Sequence, residues 1–117
     1  LAVDRGNQAV AALYQPAHPA VLRLIVNVLE VGRKHSVPVA MCGEMSGDVV
    51  YVPFLLGLGL ETLSMSPQHI LEIKKVIRSV TLSEASELAR KVLSCKEAQE
   101  AETLLRERAH ALVPQLV

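Results

Sequence analysis

A short apolar run, VPVAM at residues 37–41, lies between two helix-forming segments and leads into a polar loop broken by glycines. A strand with almost no polar residue is typical of a parallel sheet that is covered on both faces. The preceding segment, residues 20–35, carries apolar residues at the i, i+3, i+4 and i+7 spacing of an amphipathic helix, starting at Leu22. A second short strand is predicted at 61–66. This alternation predicts an α/β fold with parallel strands and right-handed crossovers.

Helix-start signals place the helices around these strands. Pro19 suits the first position of the helix over 20–35, because a missing N–H is tolerated there. The apolar stretch 49–60 predicts a short buried helix that ends at its glycines. Ser66 as N-cap and Pro67 in the first turn predict the start of a helix over 67–80.

Two capping boxes divide the C-terminal part of the sequence. Thr81 stands three residues before Glu84, and Ser94 stands three residues before Glu97, which is the spacing of reciprocal side-chain and backbone hydrogen bonds at a helix start. The sequence therefore predicts two amphipathic helices, at about 81–94 and 95–113.

The composition excludes several classes of function. Of the 117 residues half are hydrophobic, the formal net charge is zero, and there are one Phe, two Tyr and no Trp. Such a chain has neither the basic patch nor the aromatic platforms of a nucleic-acid-binding protein. The longest apolar stretch, about a dozen residues with glycines and a proline, is shorter than the roughly 20 residues of a membrane span. We therefore expect no nucleic acid partner and no membrane insertion.

Length indicates that the chain is part of a larger fold, and cysteine usage indicates its cellular compartment. Two or three short strands cannot make a covered parallel sheet alone, and a (β/α)₈ barrel needs about 250 residues, so we expect a piece of a larger fold. Cys42 and Cys95 belong to no CxxC or metal-type cluster. Two isolated thiols favour a reducing compartment, and we predict a cytoplasmic protein.

Cys42 is the sharpest candidate for a functional residue. It directly follows the strand over 37–41, and ligands of parallel α/β folds bind at the carboxyl ends of strands. A cysteine thiol in water is mostly protonated near neutral pH, so it can serve as a general acid. Glu44 and Asp48 could orient the loop or hold the thiol proton. The alternative is a packing role, since free cysteines are usually buried.

Other residues at strand exits are weaker candidates. Arg5 follows the first apolar segment, where the alternative is a solvated loop charge, and residues 64–66 lie at the end of the last predicted strand. His35 is the only base close to Cys42 in sequence, and a histidine in the last turn of a helix is more often a surface residue. The remaining histidines show no pairing at metal-ligand spacing.

Four sequence blocks follow one another in the chain: LAVDRGN, LYQPAHPAVLRLI, VPVAMCGEMSGD and LLGLGLETLSMSP. Together they resemble a known family, the bacterial phosphoenolpyruvate–protein phosphotransferases, which are Enzyme I of the sugar phosphotransferase system. The likeness is strong over residues 1–80 and loose over the tail. Small departures include Ser46, which stands where an alanine is common.

The resemblance implies a fold and two site residues. Residues 1–80 would be the last strands and helices of a phosphoenolpyruvate-binding (β/α)₈ TIM barrel, incomplete in this chain, and residues 81–117 a C-terminal helical extension of the same domain. Cys42 falls on the catalytic cysteine of the family, a general acid that protonates C3 of the enolate to release pyruvate. Arg5 falls on an arginine that binds the phosphate of the substrate.

The resemblance also implies a cofactor and partners. Mg²⁺ would be held by acidic residues and an asparagine upstream of Leu1, and a histidine of an N-terminal domain would pass the phosphoryl group to the carrier protein HPr. The barrel domain would form a homodimer. We therefore expect the 117-residue chain alone to be inactive. Three alternatives stay open: the nitrogen-related paralogue, a fragment of pyruvate phosphate dikinase, and a non-catalytic barrel fragment that only associates or regulates.

Overall fold

The computed structural model describes residues 4 and 6–117, and in this part of the chain the fold is mostly helical α/β. The elements in chain order are α1 (Pro19–Lys34), β1 (Ala40–Met41), α2 (Val52–Gly57), β2 (Thr62–Leu63), α3 (Ile70–Ser79), α4 (Leu82–Ser94) and α5 (Ala98–Leu112). Short 3₁₀ turns lie at Ala11–Leu13, Glu44–Gly47 and Pro67–His69. The predicted α/β class and helix order are confirmed, while the barrel stays a prediction. Within the described residues, no helix is long and apolar enough to cross a membrane.

The sheet consists of β1 and β2, which pair in parallel as the sequence predicts. Ala40 lies opposite Thr62, and Met41 lies opposite Leu63. The prediction of a strand over 37–41 that is covered on both faces is wrong: Val37 is 58% exposed, and pairing is limited to two residues. Among the described residues β1 has β2 as its single partner strand, so there is too little sheet around it to bury its apolar side chains.

A glycine and a left-handed residue end α1 and turn the chain towards β1. Ser36 has φ 55°, and the N–H of Val37 donates to the carbonyl of Gly32 at 2.8 Å, which is the pattern of a Schellman cap. A Cβ on Gly32 would lie 2.4 Å from Cγ2 of Val39. Gly32 therefore lowers helix propensity in the last turn but allows the chain to return close to α1.

The hydrophobic core has two clusters, both built mainly from side chains of the helices. Its larger cluster is formed by side chains of α1, α2, α4 and α5, and a smaller cluster joins α2 and α3 to the C-terminus through Val52, Ile73, Val76 and Val113. Leu22 and Leu29 of the predicted apolar face of α1 are buried, while Ile25 and Val26 are half-buried. The main members of the larger cluster are Leu22, Leu29, Phe54, Leu55, Leu88, Val92 and Leu105.

Helix starts follow the sequence signals in part. Pro67 begins a 3₁₀ turn that continues into α3, and Ser66 takes the predicted N-cap position with an extended backbone, although its side chain makes no capping hydrogen bond. At α4 the predicted capping box is present: Thr81 Oγ1 accepts from the N–H of Glu84 at 3.3 Å, and the carboxylate of Glu84 accepts from the N–H of Thr81 at 2.9 Å.

The second predicted capping box, Ser94 with Glu97, is wrong. Ser94 is the last residue of α4, and its hydroxyl donates to the carbonyl of Lys91 at 2.6 Å. A helical residue cannot take the extended backbone of an N-cap. Helix α5 instead begins at Ala98, and Glu100 accepts from the N–H of Lys96 at 3.2 Å.

Glu84 makes the stability of the α4 start dependent on pH. The hydrogen bond from the backbone of Thr81, joined by one from Arg108 of α5 at 2.7 Å, lowers the pKa of Glu84 from 4.5 to about 2. Because the folded-state pKa is depressed, the stabilisation is present above pH 4.5 and is lost as the pH falls towards 2. Glu84→Gln, which keeps a capping side chain but no charge, should therefore flatten the fall of the urea midpoint between pH 4.5 and 2. Glu72→Gln, in the first turn of α3, is the matched control, and an unchanged slope in Glu84→Gln would contradict the assignment.

Candidate active site

The two cysteines of the chain lie in opposite environments. Cys42 directly follows β1, and it is exposed with a free thiol. Cys95 is 2% exposed, its Sγ donates to the carbonyl of Lys91 at 3.5 Å, and burial raises the pKa of its thiol. The packing role that bulk statistics favour therefore fits Cys95 and does not fit Cys42.

A glycine gives the loop after Cys42 its direction. Gly43 has φ 92° and ψ −169°, a backbone region open almost only to glycine. One 3₁₀ turn over Glu44–Gly47 follows at once. The chain thus bends sharply after β1 and leaves the thiol at the end of the strand.

Ser46 connects this loop to the exit of the neighbouring strand. Its hydroxyl lies 2.7 Å from the carbonyl oxygen of Gly43 and 2.5 Å from that of Ser64, the residue after β2. The N–H of Ser64 in turn donates to the carbonyl of Met41 at 2.8 Å. The exits of both strands therefore meet at one place, as expected for the carboxyl edge of a parallel sheet.

Cys42 lines an open cleft of about 1010 Å³. Its walls come from the segment before α1, the loop after β1 and the start of α5. Glu44 and Asp48, which the sequence suggested as partners of the loop or of the thiol, both line it, and His35 does not. The polar lining residues are Tyr14, Gln15, His18, Cys42, Glu44, Asp48, Tyr51, Glu97, Gln99, Glu102 and Arg106.

Asp48 shapes the path from the loop into α2. Its Oδ1 accepts from the N–H of Val50 at 2.8 Å, and its carbonyl accepts from the N–H groups of Tyr51 and Val52. This geometry supports the first of its two suggested roles, orienting the loop. It also fixes the start of the short helix that carries Phe54 into the core.

Sequence reasoning missed a chain of polar side chains at the opposite wall. The buried hydroxyl of Tyr51 donates to the carboxylate of Glu102, whose other oxygen lies 2.6 Å from the guanidinium of Arg106. Burial, together with the nearby carboxylate, raises the pKa of Tyr51. The i, i+4 spacing of Glu102 and Arg106 was a visible signal of a pair on one helix face, but nothing local pointed to Tyr51, which is 51 residues away.

The charges of the cleft do not suit an anionic ligand by themselves. Four carboxylates line it, and Arg106, the arginine among its described lining residues, is paired with Glu102. Arg5, the predicted phosphate-binding residue, lies outside the described residues, so its role stays a prediction. A phosphate group bound beside Cys42 would need cations from other parts of the protein.

The described residues also lack a metal-binding cluster. Across residues 4 and 6–117, no three His, Cys, Asp or Glu side chains lie close enough together to hold a metal ion. His18 caps α1, its Nδ1 accepting from the N–H of Ala20 at 3.2 Å.

Comparison with known proteins decides the family. Residues 1–82 match the model of the family described as "PEP-utilising enzyme, PEP-binding domain", where PEP is phosphoenolpyruvate. The chain belongs to this family. The matched residues of the PEP-binding domain include the Cys42 loop, both strands and α1 to α3.

Curated relatives match most of this chain. The phosphoenolpyruvate-protein phosphotransferase of Staphylococcus carnosus is 42% identical over 107 residues, which is 92% of this chain and 19% of that protein. The protein of the same name from Bacillus subtilis is 43% identical over 107 residues, with the same shares. That from Buchnera aphidicola is 43% identical over 105 residues, 90% of this chain and 18% of that protein. The chain thus spans about a fifth of the length of these relatives.

Proposed function

We propose that this chain is part of a phosphoenolpyruvate–protein phosphotransferase. This transferase moves the phosphoryl group of phosphoenolpyruvate to one of its own histidines and on to HPr, releasing pyruvate. The observation that carries the proposal is the exposed Cys42 thiol at the exit of β1, in a chain matched to the PEP-binding domain. The names of the relatives favour this activity over that of pyruvate phosphate dikinase.

In the proposed reaction, Cys42 acts after the phosphoryl group has left. The bond between phosphorus and the enolate oxygen breaks, and the phosphoryl group passes to a histidine nitrogen elsewhere in the parent protein. The electron pair on the enolate oxygen forms the carbonyl of pyruvate, and the pair of the C2=C3 bond takes the proton from Sγ of Cys42. Pyruvate and a thiolate result, and solvent then returns the proton to the thiolate. The thiol is thus a general acid towards carbon.

An exposed apolar face of α1 supports the proposal that the chain is part of a larger barrel. Leu24, Val28 and Val31 are 58%, 55% and 48% exposed, and they share one face of α1 at the i, i+4, i+7 spacing. Such a face fits contact with a neighbouring helix of a complete (β/α)₈ barrel. The proposal also includes a homodimer through the barrel domain, Mg²⁺ held by residues outside this chain, a role in sugar transport and a cytoplasmic location.

We expect the chain alone not to catalyse transfer, because four carboxylates line the cleft and Arg106, the arginine among its described lining residues, is paired with Glu102. The test of the proposed function therefore uses the parent protein. With phosphoenolpyruvate labelled with ³²P, Mg²⁺ and HPr, we expect the label on HPr and one pyruvate released for each phosphoryl group transferred. A parent protein that binds phosphoenolpyruvate but labels neither itself nor HPr would contradict the proposal.

Arg5 has a testable role of its own. Because a guanidinium can bind a phosphate through two parallel hydrogen bonds, Arg5→Ala in the parent protein should weaken phosphoenolpyruvate binding at least about tenfold. Calorimetry measures the affinity, and Arg90→Ala, on the exposed surface of α4, is the control that should leave it unchanged. Unchanged affinity in Arg5→Ala would show that Arg5 is a solvated loop charge and does not bind the phosphate.

A further inference from the structure

Apart from Tyr51, whose hydroxyl bonds Glu102, Ser46 is the buried residue with a hydroxyl group among the described residues. Its exposure is 0%, in a loop whose neighbours Gly43 and Glu44 are exposed. A buried hydroxyl without a hydrogen bond is costly, so such a group is retained where it has partners. The partners of Ser46 are backbone carbonyls of two different segments, those of Gly43 and Ser64.

The hydroxyl has one proton and lies within hydrogen-bond distance of both carbonyl oxygens, so it can donate to one at a time. The Gly43 carbonyl belongs to the residue directly after Cys42. The Ser64 carbonyl belongs to the residue directly after β2. Ser46 therefore holds the backbone next to the thiol against the exit of the neighbouring strand.

Little else in the described structure holds Gly43 in place. Glycine is the most permissive residue in backbone conformation, and a Cβ built on Gly43 would meet no atom within 4 Å. The carbonyl of Gly43 accepts from the N–H of Ser46 at 3.2 Å and from its hydroxyl at 2.7 Å. Both contacts come from Ser46, and the shorter one is made by its side chain.

We propose that Ser46 is a positioning residue for Cys42. Its hydroxyl fixes the carbonyl of Gly43, and thereby the direction of the thiol, relative to the exit of β2. This inference rests on the proposed function of Cys42 as the proton donor. An alanine at position 46 has no hydroxyl, so a protein with alanine there must hold its loop by other contacts. The hydrogen bonding of the Ser46 hydroxyl is therefore a property of this chain.

The consequence is a kinetic one, because proton transfer to carbon depends on the placement of the donor. Ser46→Ala in the parent protein should lower kcat for pyruvate formation about fivefold or more, while KM for phosphoenolpyruvate stays within twofold. Hydrogen exchange should become faster in residues 43–48 and stay unchanged in α4. Ser79→Ala is the matched control, since the Ser79 hydroxyl also donates to a backbone carbonyl, that of Lys75 at 2.8 Å, on the exposed side of α3.

The outcomes separate this inference from the proposed function. If Cys42→Ala abolishes turnover while Ser46→Ala keeps wild-type kcat and loop exchange, the proton donor stands and the positioning role is overturned. If Cys42→Ala keeps full turnover, the proposed role of Cys42 as proton donor fails, and hydrogen exchange still shows whether Ser46 holds the loop. Should Ser46→Ala not fold, Ser46→Cys keeps the shape of the side chain, with a larger sulfur atom that is a weaker donor. Wild-type kcat and loop exchange in Ser46→Cys would also overturn the inference.

Discussion

Replacing Cys42 with alanine is expected to reduce pyruvate formation by the parent protein at least about 100-fold, because general acid catalysis contributes roughly 10² to 10⁴ in rate. Alanine is smaller than cysteine and uncharged, so it removes the proton donor without blocking the cleft. Cys42 is exposed and is not a member of the core. Phosphoenolpyruvate affinity, measured by calorimetry, should therefore stay within about threefold of the wild type.

Two further variants define what the thiol contributes. Cys95→Ala removes the buried thiol at the end of α4 and should keep turnover, because Cys95 does not line the cleft. Cys42→Ser keeps a polar group of similar size but is a much weaker acid, so it should be nearly as slow as Cys42→Ala. Wild-type turnover in Cys42→Ala would refute the role of Cys42 as a general acid.

Gly57→Ala is expected to have the largest effect on stability, roughly 2 kcal/mol or more. A Cβ at Gly57 would lie 2.0 Å from the carbonyl oxygen of Ala85 and 2.9 Å from Cβ of Ala89, so the methyl group would meet the backbone of α4. Overpacking costs about 1–3 kcal/mol and occasionally more, because packed backbone cannot move aside. The gain in helix propensity from glycine to alanine is at most about 1 kcal/mol, so the clash prevails.

The measurement for Gly57→Ala is hydrogen exchange of α2 and α4 in the parent protein, where both helices should lose protection. Gly47→Ala is the matched control. Its methyl would meet its nearest neighbour, His69, at 3.4 Å, which is ordinary contact, so we expect little change in these helices. Wild-type protection of α2 and α4 in Gly57→Ala would show that the two helices can separate without cost.

The parts of the fold that sequence predicts well are fixed by local interactions. Helix α1 begins at Pro19, and Thr81 and Glu84 start α4 with the expected reciprocal hydrogen bonds. Ser94 and Glu97 have the same spacing but form no box, because Ser94 already belongs to the last turn of α4. A capping signal therefore gives a helix start only if the preceding helix ends before it.

Features that depend on distant segments could not be predicted from the sequence. The apolar run at 37–41 indicates a covered strand, but burial depends on which elements pack against the run, and Val37 is exposed. The packing of Gly57 against Ala85 has no sequence signature beyond a glycine near a helix end. The register of β1 on β2 likewise requires the structure.

In the candidate site, too, local features follow from the sequence and contacts between distant segments do not. The position of Cys42 at a strand exit follows from the pattern of an apolar run and a glycine-broken loop. The link from Ser46 to Ser64 and the contact of Tyr51 with Glu102 join residues that are 18 and 51 positions apart. No periodicity or motif brings such residues together, so only the fold shows them.

The stereochemistry of protonation tests the central claim most directly, namely that the Cys42 thiol delivers the proton to C3. Phosphoenolpyruvate stereospecifically labelled with tritium at C3, turned over by the parent protein in deuterated water, yields pyruvate whose methyl group carries three hydrogen isotopes. A donor fixed on one face of the enolate predicts a single enantiomer from the wild type. Any residual pyruvate from Cys42→Ala should be racemic, because free enolate is protonated on both faces. A single enantiomer from Cys42→Ala would contradict the account.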